Sequence, residues 1–269
     1  MNIGIFTGGF KPFHSGHFAK LVLAHRENDG VILIIGGAGR KKGAGVEITD
    51  KAVEKMWEGH DGWTGITYRL KQTLPKLVYA RFPVLPGPPK KSTGEIGKST
   101  PIGDVFQIVR GVIDEVNHGT TKSEVLSQFN IPNVDPTHVG LTIYGGRKDL
   151  KIYTRLEGTS ILREFRTDSG QEPDQTMNRL LKAQCAIESG DLTAYRDELP
   201  YLSPQLKADM IRKITVRGSQ IRTMERENVR DFLPAIYTPE DKDRVLDLML
   251  KRNTQEAMLR EIVGGILVG

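Results

Sequence analysis

The sequence predicts an α/β protein built on a doubly wound parallel sheet of about five strands, with helical insertions and a C-terminal helical segment. Three observations predict it. Between Asn2 and His25 an apolar run (Ile3, Ile5, Phe6) meets Gly8, Gly9 and Pro12 and then apolar residues at helical spacing (Phe18, Leu21, Val22), which reads as strand, tight turn, helix. Val31 to Ile35 is an unbroken β-branched and leucine run, the mark of a strand buried on both faces of a parallel sheet. Together these make a βαβ unit of about thirty residues, and apolar runs at Leu77 to Leu85 and Val139 to Tyr144 supply a third and a fourth strand.

The intervening elements follow in order. A polar turn spans Glu27 to Gly30. Thr49 or Asp50 can cap a helix through Ala52, Val53, Met56 and Trp57, and a short helix is expected around Ile66 to Leu74. Pro83 to Pro101 is punctuated by prolines, glycines and serines and reads as a loop or linker. It contains Gly94-Glu95-Ile96-Gly97-Lys98-Ser99, which is not a P-loop because a P-loop spaces its glycines more widely and follows a buried strand. Ile102 to Val116 and Lys122 to Phe129 read as helices, and Thr159 to Phe165 as either strand or helix. From Pro173 to Lys213 the chain looks helical, with Met177, Leu180, Leu181, Ala186 and Ile187 on one face, a break at Ser189 to Asp191, and shorter segments around Leu192 to Leu199 and Pro204 to Ile211. Ile214 to Val216 reads as a short strand. The expected organisation is one α/β domain over residues 1–224, with insertions at about 86–135 and 155–213, and a helical segment over 225–269 packed on it.

Composition narrows the partners. The chain of 269 residues carries 38 Lys and Arg against 33 Asp and Glu, a formal net charge of +5 that suits phosphorylated ligands. The excess is spread along the chain without a dense basic run, so nucleic acid is not the expected partner. Cys185 is the only cysteine, which excludes an intramolecular disulfide and a cysteine-rich zinc site. Met1 leads directly into a strand, and the apolar run Ile262 to Val268 is too short to span a bilayer, so a cytoplasmic protein is expected.

Two stretches carry the chemistry. In the first, Gly8 and Gly9 let a ligand approach the main chain, and a helix opening near Ser15 or Gly16 directs unpaired N–H groups at the same place, an arrangement suited to phosphate. His14 and His17, three residues apart, then project beside it; alone, such a pair is as readily a feature of a surface loop. In the second, Arg217-Gly218-Ser219-Gln220-Ile221-Arg222 offers a serine hydroxyl and, three residues on, a guanidinium that can lie bidentate against phosphate oxygens. Small residues also follow the other strands. Gly36, Gly37 and Ala38 lead into Arg40, Lys41 and Lys42, and Gly145-Gly146 into Arg147, Lys148 and Asp149, at the sheet edge where open α/β proteins bind ligands. Arg40 to Lys42 read equally as a solvated loop, and Asp149 as a helix cap.

The H-x-G-H of His14 to His17, preceded by its strand and glycine pair, resembles the first signature of the nucleotidyltransferase superfamily, and Gly218 to Arg222 resembles the second. The resemblance implies a Rossmann-like, cytidylyltransferase-like fold and transfer of a nucleoside monophosphate from an NTP to an acceptor with release of pyrophosphate. It further implies that His14, His17, Arg222 and Lys11 are catalytic, and that Gly8, Gly9, Phe10, Gly218, Ser219 and Ile221 bind the nucleotide. Gly36, Gly37, Arg40, Arg147 and Asp149 would contact the acceptor, and Mg2+ would travel mainly on the NTP phosphates. The small-residue end of the second strand, the threonine-capped helix, and the Leu233-Pro234 step before a closing helix are similar to the branch that adenylates nicotinamide mononucleotide, which implies ATP binding and a place in NAD biosynthesis. Lys11, Gly9 and Arg217 differ from that branch's usual glutamine, arginine and small polar residue, and bear on base and acceptor contacts. A CTP-dependent cytidylyltransferase acting on a phosphorylated alcohol or sugar is the alternative enzyme, and a non-catalytic nucleotide-binding protein the alternative of another class. A class I aminoacyl-tRNA synthetase shares the histidine signature, but its lysine-rich second signature is not found here. A homo-oligomer is compatible with the long helical insertion.

Overall fold

The computed structural model describes residues 2–36, 48–60, 62–82, 86–89, 96–98, 140–145, 164–167 and 173–250. Within them lies a mixed α/β architecture on a parallel sheet. Strand β1 (Asn2–Gly8) pairs with β2 (Gly30–Gly36), bringing Ile5 opposite Ile32. Beyond β2 lies β5 (Leu77–Phe82), and on the other side of β1 lie β8 (Gly140–Tyr144) and β9 (Glu164–Thr167), all parallel, in the order β5-β2-β1-β8-β9. Every residue of β2 is buried, so this strand is covered on both faces, as its unbroken apolar run predicts. The ambiguous stretch before Phe165 resolves as strand β9 in its last residues.

Helix α1 (Ser15–Glu27) returns the chain from β1 to β2 and buries Phe18, Leu21, Val22 and Leu23. Its end is fastened by side chains. Asn28 Nδ2 donates to the Ala24 carbonyl at 2.7 Å and to Tyr144 Oη at 2.9 Å, and Tyr144 Oη donates to Glu27 Oε2 at 2.7 Å. Burial, with Glu27 beside it, pushes the Tyr144 phenol far up from its ordinary pKa, so it stays a donor. Glu27 is in turn paired with Arg179 of α4 (Pro173–Glu188). Helix α2 (Asp50–Glu58) begins where the sequence places it. Thr49 Oγ1 accepts from the Ala52 N–H at 3.1 Å, and Val53, Met56 and Trp57 are fully buried.

Three departures from the sequence reading have physical causes. Ile214 belongs to helix α5 (Pro204–Thr215) and not to a strand: Leu206, Met210 and Ile214 recur every fourth residue, Ser203 caps the helix, and Pro204 opens it, so helical periodicity overrides a local β-branched triplet. Only Val216 and Arg217 are extended before the one-turn helix α6 (Gly218–Ile221). The proline-rich stretch after residue 82 contains a small ribbon of β6 (Pro86–Pro89) and β7 (Ile96–Lys98), paired antiparallel where a loop is expected. Third, the segment after Asp191 forms a single 3-10 turn (Leu192–Ala194). An unforeseen hairpin, β3 (Gly59–His60) with β4 (Trp63–Thr64), precedes helix α3 (Ile66–Thr73). The expected helices at 102–116 and 122–129 lie outside the described residues.

After the short helix α7 (Arg226–Val229) and the 3-10 turn Arg230–Phe232, helix α8 (Pro239–Leu250) packs against α2. Its anchor is Asp241, only 3% exposed. The Asp241 carboxylate accepts from Trp63 Nε1 at 2.7 Å and from the Thr238 N–H at 2.9 Å, and its Oδ2 lies 3.3 Å from Arg69 Nε. Thr238 Oγ1 accepts from the Asp241 N–H at 3.1 Å, completing a reciprocal cap. Replacing Asp241 with Ala strands an indole N–H and a guanidinium in a largely buried site. The expected loss is about 3 kcal/mol of unfolding free energy in urea, whereas Thr238→Ala should lose about 1 kcal/mol. Equal small losses would show that the anchor is unimportant.

Candidate functional site

The turn between β1 and α1 is shaped by aromatic packing. Phe10 adopts φ 45°, in the left-handed region that a bulky side chain rarely occupies, and a cis Lys11–Pro12 peptide follows it. The Phe10 ring is buried, with ring centroids 5.1 Å from Phe6, 5.6 Å from Phe13 and 5.8 Å from Trp57. This packing offsets the backbone strain. Around it the same rings enclose His17: Phe10 meets the imidazole edge-on at 5.0 Å and Phe13 stacks on it at 5.7 Å.

His14 is the N-cap of α1, and the two imidazoles stack face to face with centroids 3.6 Å apart. The His14 N–H donates to His17 Nδ1 at 3.4 Å. An accepting Nδ1 places the His17 proton on Nε2, leaving that N–H as a donor. Both rings are held neutral. Burial, then the Arg222 charge, lowers the His14 pKa to about 3, and burial, His14 and Lys20 hold His17 well below its ordinary value. His14 Nδ1 is buried and finds no hydrogen-bond partner among the described residues.

The second stretch closes directly onto the first. Arg222 is 7% exposed and donates from Nη1 to the Lys11 carbonyl at 2.5 Å. Gly218 lies against that link: a Cβ there would stand 3.3 Å from Arg222 Nη1 and 3.4 Å from the Lys11 carbonyl oxygen. The Arg217 N–H donates to Gln220 Oε1 at 2.8 Å, fixing the turn into α6. Gly16, the residue between the histidines, has a different task from the one a phosphate loop would give it. A Cβ at Gly16 would sit 2.2 Å from the Ile214 carbonyl oxygen, so α1 and α5 cross at this glycine. Ser15 Oγ donates to the Phe232 carbonyl at 2.9 Å, tying the start of α1 to the segment after α7.

The structure thus brings together Gly8, Gly9, Phe10, Lys11, His14, His17, Gly218 and Arg222, with the exposed Ser219 beside them. Ile221 is wholly buried in the core, its N–H donates to the Arg217 carbonyl at 3.1 Å and its carbonyl accepts from the Met224 N–H at 3.2 Å, so it packs the turn and is not placed to bind the nucleotide itself. Gly36 ends β2, buried and paired with Phe82. Gly37, Arg40, Arg147 and Asp149 lie outside the described residues. Sequence reasoning passes over Phe13, Trp57 and Lys20. The F-x-x-F spacing of Phe10 and Phe13 is the available signal for the aromatic wall, but nothing local marks Trp57 as its far side or Lys20, whose Nζ donates to the Gly145 carbonyl at 2.6 Å. Among the described residues no group of three or more His, Cys, Asp or Glu could hold a metal ion, and no helix is long and apolar enough to cross a membrane.

Comparison with known protein families finds no match, and neither does comparison with curated proteins. Several solved chains align with part of this one, two of them structures of the NadR protein. One is the NadR protein in complex with NR, with a TM-score of 0.35 and 16% identity, covering 70% of this chain and 40% of that one. The other is the NadR protein in complex with NAD and AMP-PNP, with a TM-score of 0.34 and 16% identity, covering 70% of this chain and 43% of that one. This chain therefore spans less than half the length of either. Neither alignment reaches the similarity at which a ligand or an activity carries over.

Two measurements probe this geometry. Gly16→Ala must push α1 off Ile214, and should lower stability by about 1–3 kcal/mol; Gly9→Ala, whose new Cβ would meet nothing closer than Lys11 Nζ at 3.6 Å, should leave the melting temperature nearly unchanged. The second concerns pH. Because folded His14 titrates at about 3 and an ordinary histidine at 6.5, the unfolded chain binds the extra proton between those limits. The His14 contribution is therefore complete above pH 6.5 and is lost progressively as pH falls toward 3. In His14→Asn the dependence of unfolding free energy on pH in that window should flatten relative to wild type; an unchanged slope would mean that His14 is not buried neutral.

Proposed function

We propose that this chain is a nucleotidyltransferase that moves a nucleoside monophosphate from a magnesium-bound NTP to a phosphorylated acceptor, with ATP and nicotinamide mononucleotide as substrates and NAD and pyrophosphate as products. The observation that carries the reading is the meeting of the two signatures, Arg222 Nη1 on the Lys11 carbonyl beside the stacked pair His14 and His17. These stretches, some two hundred residues apart in sequence, form one seam with hydrogen-bond donors from both sides.

In this reading an oxygen of the acceptor phosphate attacks the α-phosphorus in line, a new P–O bond forms, and the bond from the α-phosphorus to the bridging oxygen breaks as pyrophosphate leaves. No covalent enzyme intermediate is required, since positioning and charge stabilisation supply most of the catalysis in such transfers. His17 Nε2–H donates to the triphosphate, His14 stands beside it, and Arg222 supplies positive charge at the seam. The Ser219 hydroxyl and the backbone at Gly8, Gly9 and Phe10 complete the contacts, with Lys11 on the same turn. Magnesium arrives on the substrate, coordinated by its phosphate oxygens. Acceptor contacts are assigned to the ends of β2 and β8, where Gly36 lies and where Gly37, Arg40, Arg147 and Asp149 follow in sequence.

The deciding assay incubates the protein with magnesium, nicotinamide mononucleotide and either ATP or CTP, and follows pyrophosphate and dinucleotide. NAD and pyrophosphate with ATP alone are expected. Product from CTP and a phosphorylated alcohol would move the reading to cytidylyl transfer, and nucleotide binding without pyrophosphate would leave a binding protein. His17→Ala should lose roughly 3 kcal/mol of transition-state stabilisation, a hundredfold or more in turnover, while remaining folded. Near wild-type turnover in a folded His17→Ala protein would defeat the assignment.

A further inference from the structure

Helix α1 borders a second concavity on the side of Ser15 and Phe18, a groove of about 690 Å³ between α1, α4, α5, the 231–235 segment and the first turn of α8. Most of its charges are matched internally. Lys213 Nζ lies 2.9 Å from Asp209 and 3.3 Å from Glu188, and Arg212 Nη2 lies 2.8 Å from the same Asp209. Arg212 also stands over the Phe232 ring at 4.8 Å. The exceptions among the described residues are Asp231 and Lys242, and of these Lys242 is the cation. Its ammonium makes no hydrogen bond or ion pair among the described residues, although it lines the groove together with Lys213 and with Asp231, whose charge it feels at longer range. Burial pulls the Lys242 pKa down against the opposing influence of Asp231, and Arg230 and Lys213 add to the lowering, so the ammonium is poorly compensated where it stands.

A second group is also unmatched. Gln184 lines the groove, is 3% exposed, and donates from Nε2 to Glu188 Oε1 at 3.0 Å. That bond fixes which end of the amide is oxygen, and Gln184 Oε1 is left buried without a donor among the described residues. A lysine without a direct ion pair and an amide oxygen without a donor, in one groove with apolar walls from Phe18, Leu233 and Pro234, ask for a ligand that is anionic at one end and hydroxylated at the other.

We propose that this groove is a binding site for a small hydroxylated organic phosphate of the sugar-phosphate class, its phosphate taken by Lys242 and its hydroxyl by Gln184 Oε1. The carboxylates of Asp231 and Asp209 on the same walls favour a ligand with further hydroxyl donors over a bare anion. The site shares none of the residues assigned to the triphosphate, and it touches the segment whose Phe232 carbonyl receives the Ser15 hydroxyl.

The probe is ribose 5-phosphate, titrated calorimetrically into the full-length protein, with inorganic phosphate and ribose as the two halves of its chemistry. Saturable binding is expected in wild type and equally in His17→Ala, weakened about tenfold or more in Lys242→Met and in Gln184→Met, and at least as much weaker for either half-ligand. The proposal is overturned by a lack of saturable binding, by full affinity in Lys242→Met, or by inorganic phosphate binding as tightly as the ester. Loss in His17→Ala with retention in Lys242→Met would also overturn it, since the ligand would then sit at the histidines.

Discussion

The crossing of α1 over α5 at Gly16 is the contact on which the rest of the arrangement depends. A helix that carried any side chain at this position could not reach the Ile214 carbonyl, since even a Cβ would stand 2.2 Å from its oxygen. Because α5 runs directly into Val216, Arg217 and α6, the closeness of that crossing decides where Gly218 and Arg222 arrive. The bond from Arg222 to the Lys11 carbonyl at 2.5 Å then follows from backbone packing. The two stretches of the candidate site are registered by a glycine against a main-chain oxygen, with the Ser15 to Phe232 bond as a second tie on the same helix. Rigid elements hold such a constellation more closely than loops do.

Much of this fold is legible in the sequence because periodicity and punctuation are local signals. The buried β2, the Thr49 cap, and the helix from Ser15 each follow from residues within a single turn or strand of one another. Ile214 misleads for the same reason: its β-branched neighbours are local, whereas what makes it helical is the Ser203 cap eleven residues earlier and the burial of Met210 and Ile214 on one face, Leu206 itself remaining exposed. In the site, the histidines, Gly218 and Arg222 stand out by type and spacing. The aromatic wall does not, because Trp57 comes from another helix and its contact with Phe10 is tertiary. Gly16 is visible as part of a pattern, yet its physical duty, to admit a carbonyl from residue 214, belongs to no spacing rule. The ends of β2 and β8 beyond Gly36 and Gly145 lie outside the described residues, and so the acceptor side is read from sequence alone.

Neutrality of the stacked imidazoles gives the proposed site its chemical character. Two imidazolium ions with ring centres 3.6 Å apart, under a nearly buried guanidinium and walled by Phe10 and Phe13, would repel one another in a place that solvates charge poorly. Under the proposed function, His17 would meet a triphosphate as a hydrogen-bond donor from Nε2, its tautomer set by the bond to Nδ1, and the positive charge a polyphosphate needs would have to come from Arg222, Lys11, Lys20 and a metal carried on the substrate. This division has a consequence for selectivity. Charge at long range draws in any polyanion, but a donor fixed by stacking and by the bond to His17 Nδ1 rewards only an oxygen that lies along its N–H direction. In the proposed reaction, charge developing on a leaving pyrophosphate would strengthen that same bond without moving the ring, so that a neutral, immobile imidazole would favour the transition state over the bound substrate.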